Sequence, residues 1–363
     1  MTLRKFKPLC LLLIGECAAK DLSLSEWNLI VQQGRSAQVL GMLYSRLAHR
    51  NQLADIPPSV IWHLEAASIV AEKYLRDTQC EIKYFLPLFS SLEQRFILLK
   101  GAAYVASGKA WAEGRTFSDI DLLVPKECLT SLESSLQWFG WAGTHQTPYD
   151  QRYYREWMHE IPPLVHVTRQ TVIDIHHTIL PLTAALKPVA TKFFEDVQEI
   201  AEGVWTLSDI DMLLHSATHL FMDSEFDHAF RDLLDFDSLI RNALNNGLDW
   251  QMLIKRGQEM DLIPPLYYAL RYSGRIFNTP VPEDVLHKCG EVWQPYIPVV
   301  LMDMLFERVI VPPHHSARRV GASLANRALF IRGHYLRMPF GQLVRHLFQK
   351  AFISPYEKSS SKV

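Results

Sequence analysis

Two aspartates two residues apart inside an apolar stretch constrain this chain most. Residues 117–124 read Phe-Ser-Asp-Ile-Asp-Leu-Leu-Val, a pattern that predicts a β-strand. Side chains alternate faces along a strand, so Asp119 and Asp121 point one way while Ile120, Leu122 and Val124 point the other. Two carboxylates one pleat apart repel each other. Water relieves that repulsion on an exposed edge strand, whereas a half-buried strand calls for a cation. Mg2+ commonly binds one or two carboxylates together with substrate phosphates. The motif therefore points to metal-assisted phosphoryl or nucleotidyl transfer, with a pair of solvated edge-strand acids as the alternative.

Two further segments bear on that choice. Residues 95–102 run from an apolar strand into Lys100-Gly101 and then into a predicted helix over 102–109. A glycine at a strand-to-helix turn lets backbone N–H groups approach a phosphate, and Lys100 would add a cation there. An ordinary turn with a surface lysine is the competing account. Downstream, residues 171–179 place Asp174 and His176 on one strand face and Ile173 and Ile175 on the other. A third carboxylate on a neighbouring strand would complete a metal site or serve as a general base.

Lys100-Gly101-Ala102, then Arg115-x-x-Ser118-Asp119-Ile120-Asp121, then Ile173-Asp174-Ile175-His176 together resemble the bacterial family of uncharacterised nucleotidyltransferases. That family lies within the polymerase-beta-like nucleotidyltransferase superfamily. The likeness centres on residues 92–180 and implies an α+β palm, a mixed sheet with helices, flanked by helical regions at both ends. It implies two Mg2+ ions, with Mn2+ as a substitute, held by Asp119, Asp121 and Asp174 around an NTP, ATP being the default donor. Lys100, Gly101, Arg115 and Ser118 would then contact the nucleotide, and His176 would orient an aspartate or bind the acceptor. Most superfamily members carry Gly-Ser at the nucleotide loop where this chain has Lys100-Gly101, which leaves the grip on the triphosphate less defined than the metal ligands.

The expected organisation is a helical region over 1–93, a nucleotidyltransferase core over 94–205 and a C-terminal helical region with a basic tail over 206–363. Within the first region Ser23-Leu24-Ser25-Glu26 has the form of a capping box. Basic residues before the apolar run at 8–15 resemble a short signal peptide, but the run is brief and Glu16 closes it, so a first packed helix is expected. In the core, residues 129–139 read as a helix, while 149–154 and 164–167 read as strands. Residues 205–207 are either a last strand or a lead-in to the helices beyond.

The C-terminal region carries a polar cluster of Asp209, Asp211, His215, His219, His228, Arg231, Asp232 and Asp235. His215 and His219 are an i,i+4 pair and share a helix face, as do Arg231 and Asp235. Members of the similar family show a comparable His-x-x-x-His helix followed by an Arg-Asp helix, which implies a cleft wall touching substrate. A structural polar network and a separate metal site are the other readings. No histidine of the cluster precedes an aspartate, which argues against a phosphohydrolase built on a His-Asp dipeptide.

Composition fits a cytoplasmic enzyme. The 363 residues are 48% hydrophobic with a net charge of −2, and the five cysteines are scattered without a Cys-x-x-Cys. From residue 316 onward nine basic residues face one acid, which leaves the rest of the chain acidic and a nucleic-acid partner unfavoured. Phe340, Leu343, Val344, Leu347, Phe348, Ala351 and Phe352 form an apolar stripe at helical spacing. Residues 338–352 could therefore lie on an anionic membrane or a partner, although packing against the protein's own body is the expectation. The function expected is transfer of an NMP to a hydroxyl of a small molecule or protein. The alternative is a non-catalytic nucleotide-binding module, regulatory or antitoxin-like.

Overall fold

The computed structural model describes residues 6–143 and 147–349. Four helices come first: α1 (Lys7–Ile14), α2 (Leu24–Ser36), α3 (Leu40–His49) and α4 (Pro58–Ser91). The apolar run at the N-terminus is a packed helix, with Leu9, Leu12 and Leu13 fully buried. The capping box forms at α2. Ser23 Oγ accepts from the Glu26 amide at 3.3 Å, and Glu26 Oε2 accepts from the Ser23 amide at 2.9 Å. The α4 helix opens at a proline whose missing N–H costs nothing in a first turn.

Then follow β1 (Ile97–Leu98), α5 (Lys100–Ala106), β2 (Ile120–Leu123), α6 (Leu129–Trp138), β3 (Trp141–Gly143), α7 (Pro148–Trp157), β4 (Leu164–His166), β5 (Val172–His176), β6 (Val197–Ala201) and β7 (Val204–Leu207). They build one mixed seven-stranded sheet in the order β3-β4-β5-β2-β1-β7-β6. The acid-bearing β2 is central. It runs antiparallel to β1 and parallel to β5, and all four of its residues are buried. An edge strand with solvated acids is thereby excluded. The protein is α+β, as expected, and residues 205–207 belong to a true strand.

Among the described residues eight further helices follow: α8 (Asp209–Met222), α9 (Ala229–Asn245), α10 (Trp250–Glu259), α11 (Ile263–Phe277), α12 (Glu283–Trp293), α13 (Val299–Val309), α14 (Ala322–Arg337) and α15 (Phe340–Phe348). One continuous apolar core runs from Phe6 and Leu9 through the sheet residues Leu98, Leu122 and Ile175 to Phe306 and Leu329. Among the described residues no helix is long and apolar enough to cross a membrane. The five cysteines are free thiols.

Two contacts set the sheet against the first helices. Glu81 of α4, only 2% exposed, accepts from Arg169 Nε at 2.7 Å, from Arg169 Nη2 at 2.8 Å and from Thr171 Oγ1 at 2.6 Å. That bidentate pair fixes the β4–β5 turn. Gly114, with φ of +80°, lies so close to α3 that an added Cβ would sit 2.2 Å from the Gly41 carbonyl. Only glycine combines that backbone with that approach, and the next residue along is Arg115.

Two expectations are corrected. Residues 149–154 form part of helix α7, not a strand. Thr147 and Asp150 make a reciprocal capping box, Pro148 occupies the first turn, and Arg152 pairs with Glu156 at 3.0 Å one turn on. The aromatic residues that favour a strand instead line one helix face, where Tyr153 stacks on His346 with ring centroids 4.5 Å apart. The stripe on α15 does not pack into the body of the protein. Phe340, Val344 and Leu347 are at least half exposed, and the helix buries no residue. Ala351 and Phe352 lie outside the described residues.

Candidate active site

The β1–α5 turn carries Lys100 in a left-handed backbone conformation, φ 47°, which costs a non-glycine residue about 1–2 kcal/mol. The geometry aims its ammonium inward. Lys100 Nζ donates to Asp121 Oδ1 at 2.7 Å, and His176 Nε2 meets the same oxygen at 2.9 Å. Gly101 follows, where an added Cβ would lie 2.9 Å from the Phe117 Cβ. The glycine thus lets the turn close onto the loop that leads into β2.

The parallel register of β2 and β5 sets Asp121 directly beside Asp174. This is the juxtaposition that the family resemblance implied. Asp119 stands just before β2, partly exposed, accepting from Ser118 Oγ at 3.1 Å. Asp174 Oδ1 is buried with no hydrogen-bond partner, an anomaly for a carboxylate.

The electrostatics follow from this crowding. Burial disfavours charge on Asp121, yet Lys100 and His176 beside it hold its carboxyl well below the usual range. Burial likewise opposes charge on Lys100, and Asp121, with Glu160 and Asp119 further off, raises its pKa nonetheless. Asp174 lacks such a partner. Burial, then Asp121, Glu160 and Asp119, push its carboxyl up to about 7.

That shift carries a stability consequence with a definite sign. A carboxyl whose folded pKa is raised costs nothing while it is protonated in both states, and destabilises increasingly as pH climbs from the unfolded value to the folded one, where the penalty is complete. In metal-free buffer Asp174→Asn should match wild type below its ordinary value of 3.8 and unfold at a progressively higher temperature from there to about pH 7, above which the gap should level off. Thermal unfolding across that range measures the gap. A constant difference at every pH would mean that Asp174 is not a strained acid.

Asp119 and Asp121 open onto a cleft of about 500 Å3, lined from the sheet side also by Lys100, Gly101, Arg115 and Ser118, whereas Asp174 and His176 lie behind that lining. From the C-terminal helices it receives His219, His228, Arg231, Asp232 and Asp235. These five form the opposite wall, whereas Asp209 and Asp211 of the same cluster lie outside it, Asp211 paired with Arg256 at 2.7 Å and Asp209 accepting from Asn246 at 3.2 Å. His215 is buried away from that lining. Burial holds both His215 and His219 below the ordinary imidazole range, so both are neutral. Among the described residues no third ligand joins them in a metal-sized cluster.

Arg115 and Arg231 are differently employed than their spacing implied. Arg115 is 5% exposed; its Nε donates to Asp235 Oδ2 at 2.8 Å and its Nη2 lies 3.5 Å from Asp232. The i,i+4 pairing of Arg231 with Asp235 is not made. Arg231 instead donates to Asp232 at 3.2 Å and to Gln38. Arg115 wins Asp235 because it arrives from the sheet side, in the interior, where the carboxylate would otherwise be buried uncompensated.

Two residues at the rear of the site were not anticipated. His159 and Glu160 follow α7 and run against β5, with Glu160 bridged antiparallel to His176. Glu160 Oε2 lies 3.5 Å from His176 Nδ1. Only the His-Glu dipeptide before Pro162-Pro163 marks them in the sequence, in a segment without strand or helix periodicity.

Sheet and cleft together describe an α+β protein with a central strand pair carrying aligned acids under a lysine-bearing turn. Residues 23–278 match the model of the family described as uncharacterised nucleotidyltransferase, and the chain belongs to that family. Family membership implies an NTP substrate. No curated protein matches the chain.

Proposed function

We propose that the protein is a metal-dependent nucleotidyltransferase that moves an NMP from an NTP, ATP by default, to a hydroxyl of a small molecule or a protein. The observation that carries this reading is the register pair Asp121–Asp174, with the partnerless Asp174 oxygen beside it. Buried acids in this number, opposed by the Lys100 ammonium, fit hard dications such as Mg2+. Asp119, Asp121 and Asp174 would hold them, Asp121 through the oxygen that Lys100 and His176 leave free. A bound dication would supply charge neutralisation on the triphosphate and a lowered pKa for the attacking hydroxyl.

The protein groups do the rest. Lys100 and the α5 turn meet phosphate oxygens at the cleft mouth, and Ser118 orients Asp119. The acceptor oxygen forms a bond to the α-phosphorus as the bond to the bridging α–β oxygen breaks, and pyrophosphate leaves with that bond's electron pair. Asp174, its charge compensated by a bound dication, would orient the acceptor hydroxyl or take its proton. The neutral His219 and the Arg231–Asp232 pair face the substrate across the cleft.

Thermal unfolding with each non-hydrolysable NTP, with and without Mg2+, tests this without knowledge of the acceptor. Ligand at ~100 times its dissociation constant stabilises the folded protein by about 2.7 kcal/mol. A Mg2+-dependent rise for one NTP, absent in Asp119→Asn, is the expected result and identifies the donor. No rise with any NTP would sink the proposal. A rise without pyrophosphate release against a panel of hydroxyl acceptors would favour the binding module.

A further inference from the structure

We propose that His159, Glu160 and His176 bind one first-row divalent cation of the zinc class, at a site separate from the aspartates. Their ligating atoms all lie within 4.8 Å of one another. Two buried ring nitrogens of this group, Nδ1 of His159 and Nδ1 of His176, have no hydrogen-bond partner. Asp121 Oδ1 accepts from the Lys100 ammonium at 2.7 Å, so His176 Nε2, 2.9 Å from the same oxygen, must be a donor. In a neutral imidazole the proton on Nε2 leaves the lone pair on Nδ1. His176 is 1% exposed, and its Nδ1 is buried with no hydrogen-bond partner. The nearest charged group is Glu160 Oε2 at 3.5 Å, itself an acceptor when ionised. His159 repeats the pattern: Nδ1 is buried and partnerless, and Nε2 stands 3.8 Å from the same Glu160 oxygen.

The backbone holds these groups in place. Glu160 and His176 form an antiparallel bridge, the Ile161 amide donates to the Ile175 carbonyl at 3.0 Å, and the His177 amide donates to the His159 carbonyl at 2.9 Å. Ligands carried on two cross-linked segments give the preformed geometry that a metal site needs. Two imidazoles and one carboxylate suit Zn2+ and its neighbours, whereas Mg2+ and Ca2+ prefer oxygen throughout. His176 donating its other N–H to Asp121 is the usual outer contact of a metal-bound histidine. The nearby cations do not forbid an ion, because Lys100 is matched by Asp121 and Arg337 by Asp223 at 2.9 Å. An ion there would tie the segment after α7 to β5 and hold His176 as a donor onto Asp121. It requires no nucleotide, so its fate and that of the proposed transfer reaction are read separately.

The test uses the full chain, stripped with chelator and titrated with Co2+ as a visible-absorbing probe. The expected result is d–d bands of a low-coordinate nitrogen–oxygen site, saturating at one equivalent, displaced by Zn2+ and retained in Asp119→Asn. Glu160→Gln keeps the side-chain shape and should weaken binding at least tenfold, as should His159→Asn, with circular dichroism confirming that each folds. Absence of bands in wild type would overturn the proposal. Bands lost in Asp119→Asn, or unchanged in both Glu160→Gln and His159→Asn, would overturn it as well, since the ion would then sit elsewhere.

Discussion

Asp121→Asn is expected to lower Mg2+-dependent nucleotide affinity and nucleotidyl transfer on the order of 10²–10³-fold, the loss typical of removing one electrostatic anchor from a desolvated site. Asp119→Asn should show the same functional loss, but the two variants should part company in stability. Asp119 is partly exposed and held by one bond from Ser118, so its replacement should change stability by no more than about 0.5 kcal/mol. Asp121 is 3% exposed and receives both Lys100 and His176 on a single oxygen. Breaking a buried ion pair ordinarily costs about 3–5 kcal/mol. Here part of that is returned, because the Asp121 charge also repels Asp174 across the β2–β5 register. The net loss should therefore fall below the ordinary range while remaining measurable by denaturant unfolding. Equal stability of the two variants would mean that Lys100 finds another acceptor when Asp121 loses its charge. Affinity for labelled NTP, measured with and without Mg2+, reads the functional half of the comparison.

How much of this site was legible beforehand depended on whether residues sat on a periodic element. Alternation along residues 117–124 and 171–179 anticipated the faces of Asp121, Asp174 and His176, because a strand repeats every two residues whatever surrounds it, whereas Asp119 stands before β2 and not on it. Neighbouring positions for β2 and β5 came from the family resemblance and not from the periodicity. The Lys-Gly turn was visible too, but not the left-handed lysine, since nothing local in the sequence demands φ of 47°. Residues 149–154 read as a strand because tyrosines raise strand propensity, while of the two capping residues Thr147 lies before the segment and Asp150 is hidden among its tyrosines. Tertiary context decided against propensity there. His159 and Glu160 lie on an irregular segment, and their meaning appears only when β5 passes beside them. The pairing of Asp235 with Arg115, 120 residues away in sequence, is a product of the fold and displaced the local partner that helical spacing offered.

That long-range pair leads to the largest stability effect expected of a single substitution in the cleft. Arg115→Met should destabilise the protein by about 3–5 kcal/mol, because it leaves buried carboxylates without a counter-ion. Asp235 is 2% exposed, its Oδ1 already has no partner, and burial raises its pKa even with Arg115 in contact. Without the guanidinium that rise grows. A raised folded pKa withdraws stability only where the group is ionised, so the gap between variant and wild type should narrow as pH falls into the ordinary carboxylate range. Adding Asp235→Leu should restore much of the loss, since an apolar pair often replaces a buried ion pair at little cost, and Asp232 retains Arg231 at 3.2 Å. Denaturant unfolding of the single and double variants completes the comparison. The double variant then answers a question that the single one cannot. If it folds and binds Mg2+-NTP like wild type, Arg115 is a strut that fastens α9 to the loop before β2, and Lys100 alone supplies cationic charge to the phosphates from the sheet side. If it folds and affinity falls at least tenfold, Arg115 faces the phosphates as well as the two aspartates. The Asp232–Asp235 pair would then be the part of the cleft that tunes how strongly the nucleotide is held.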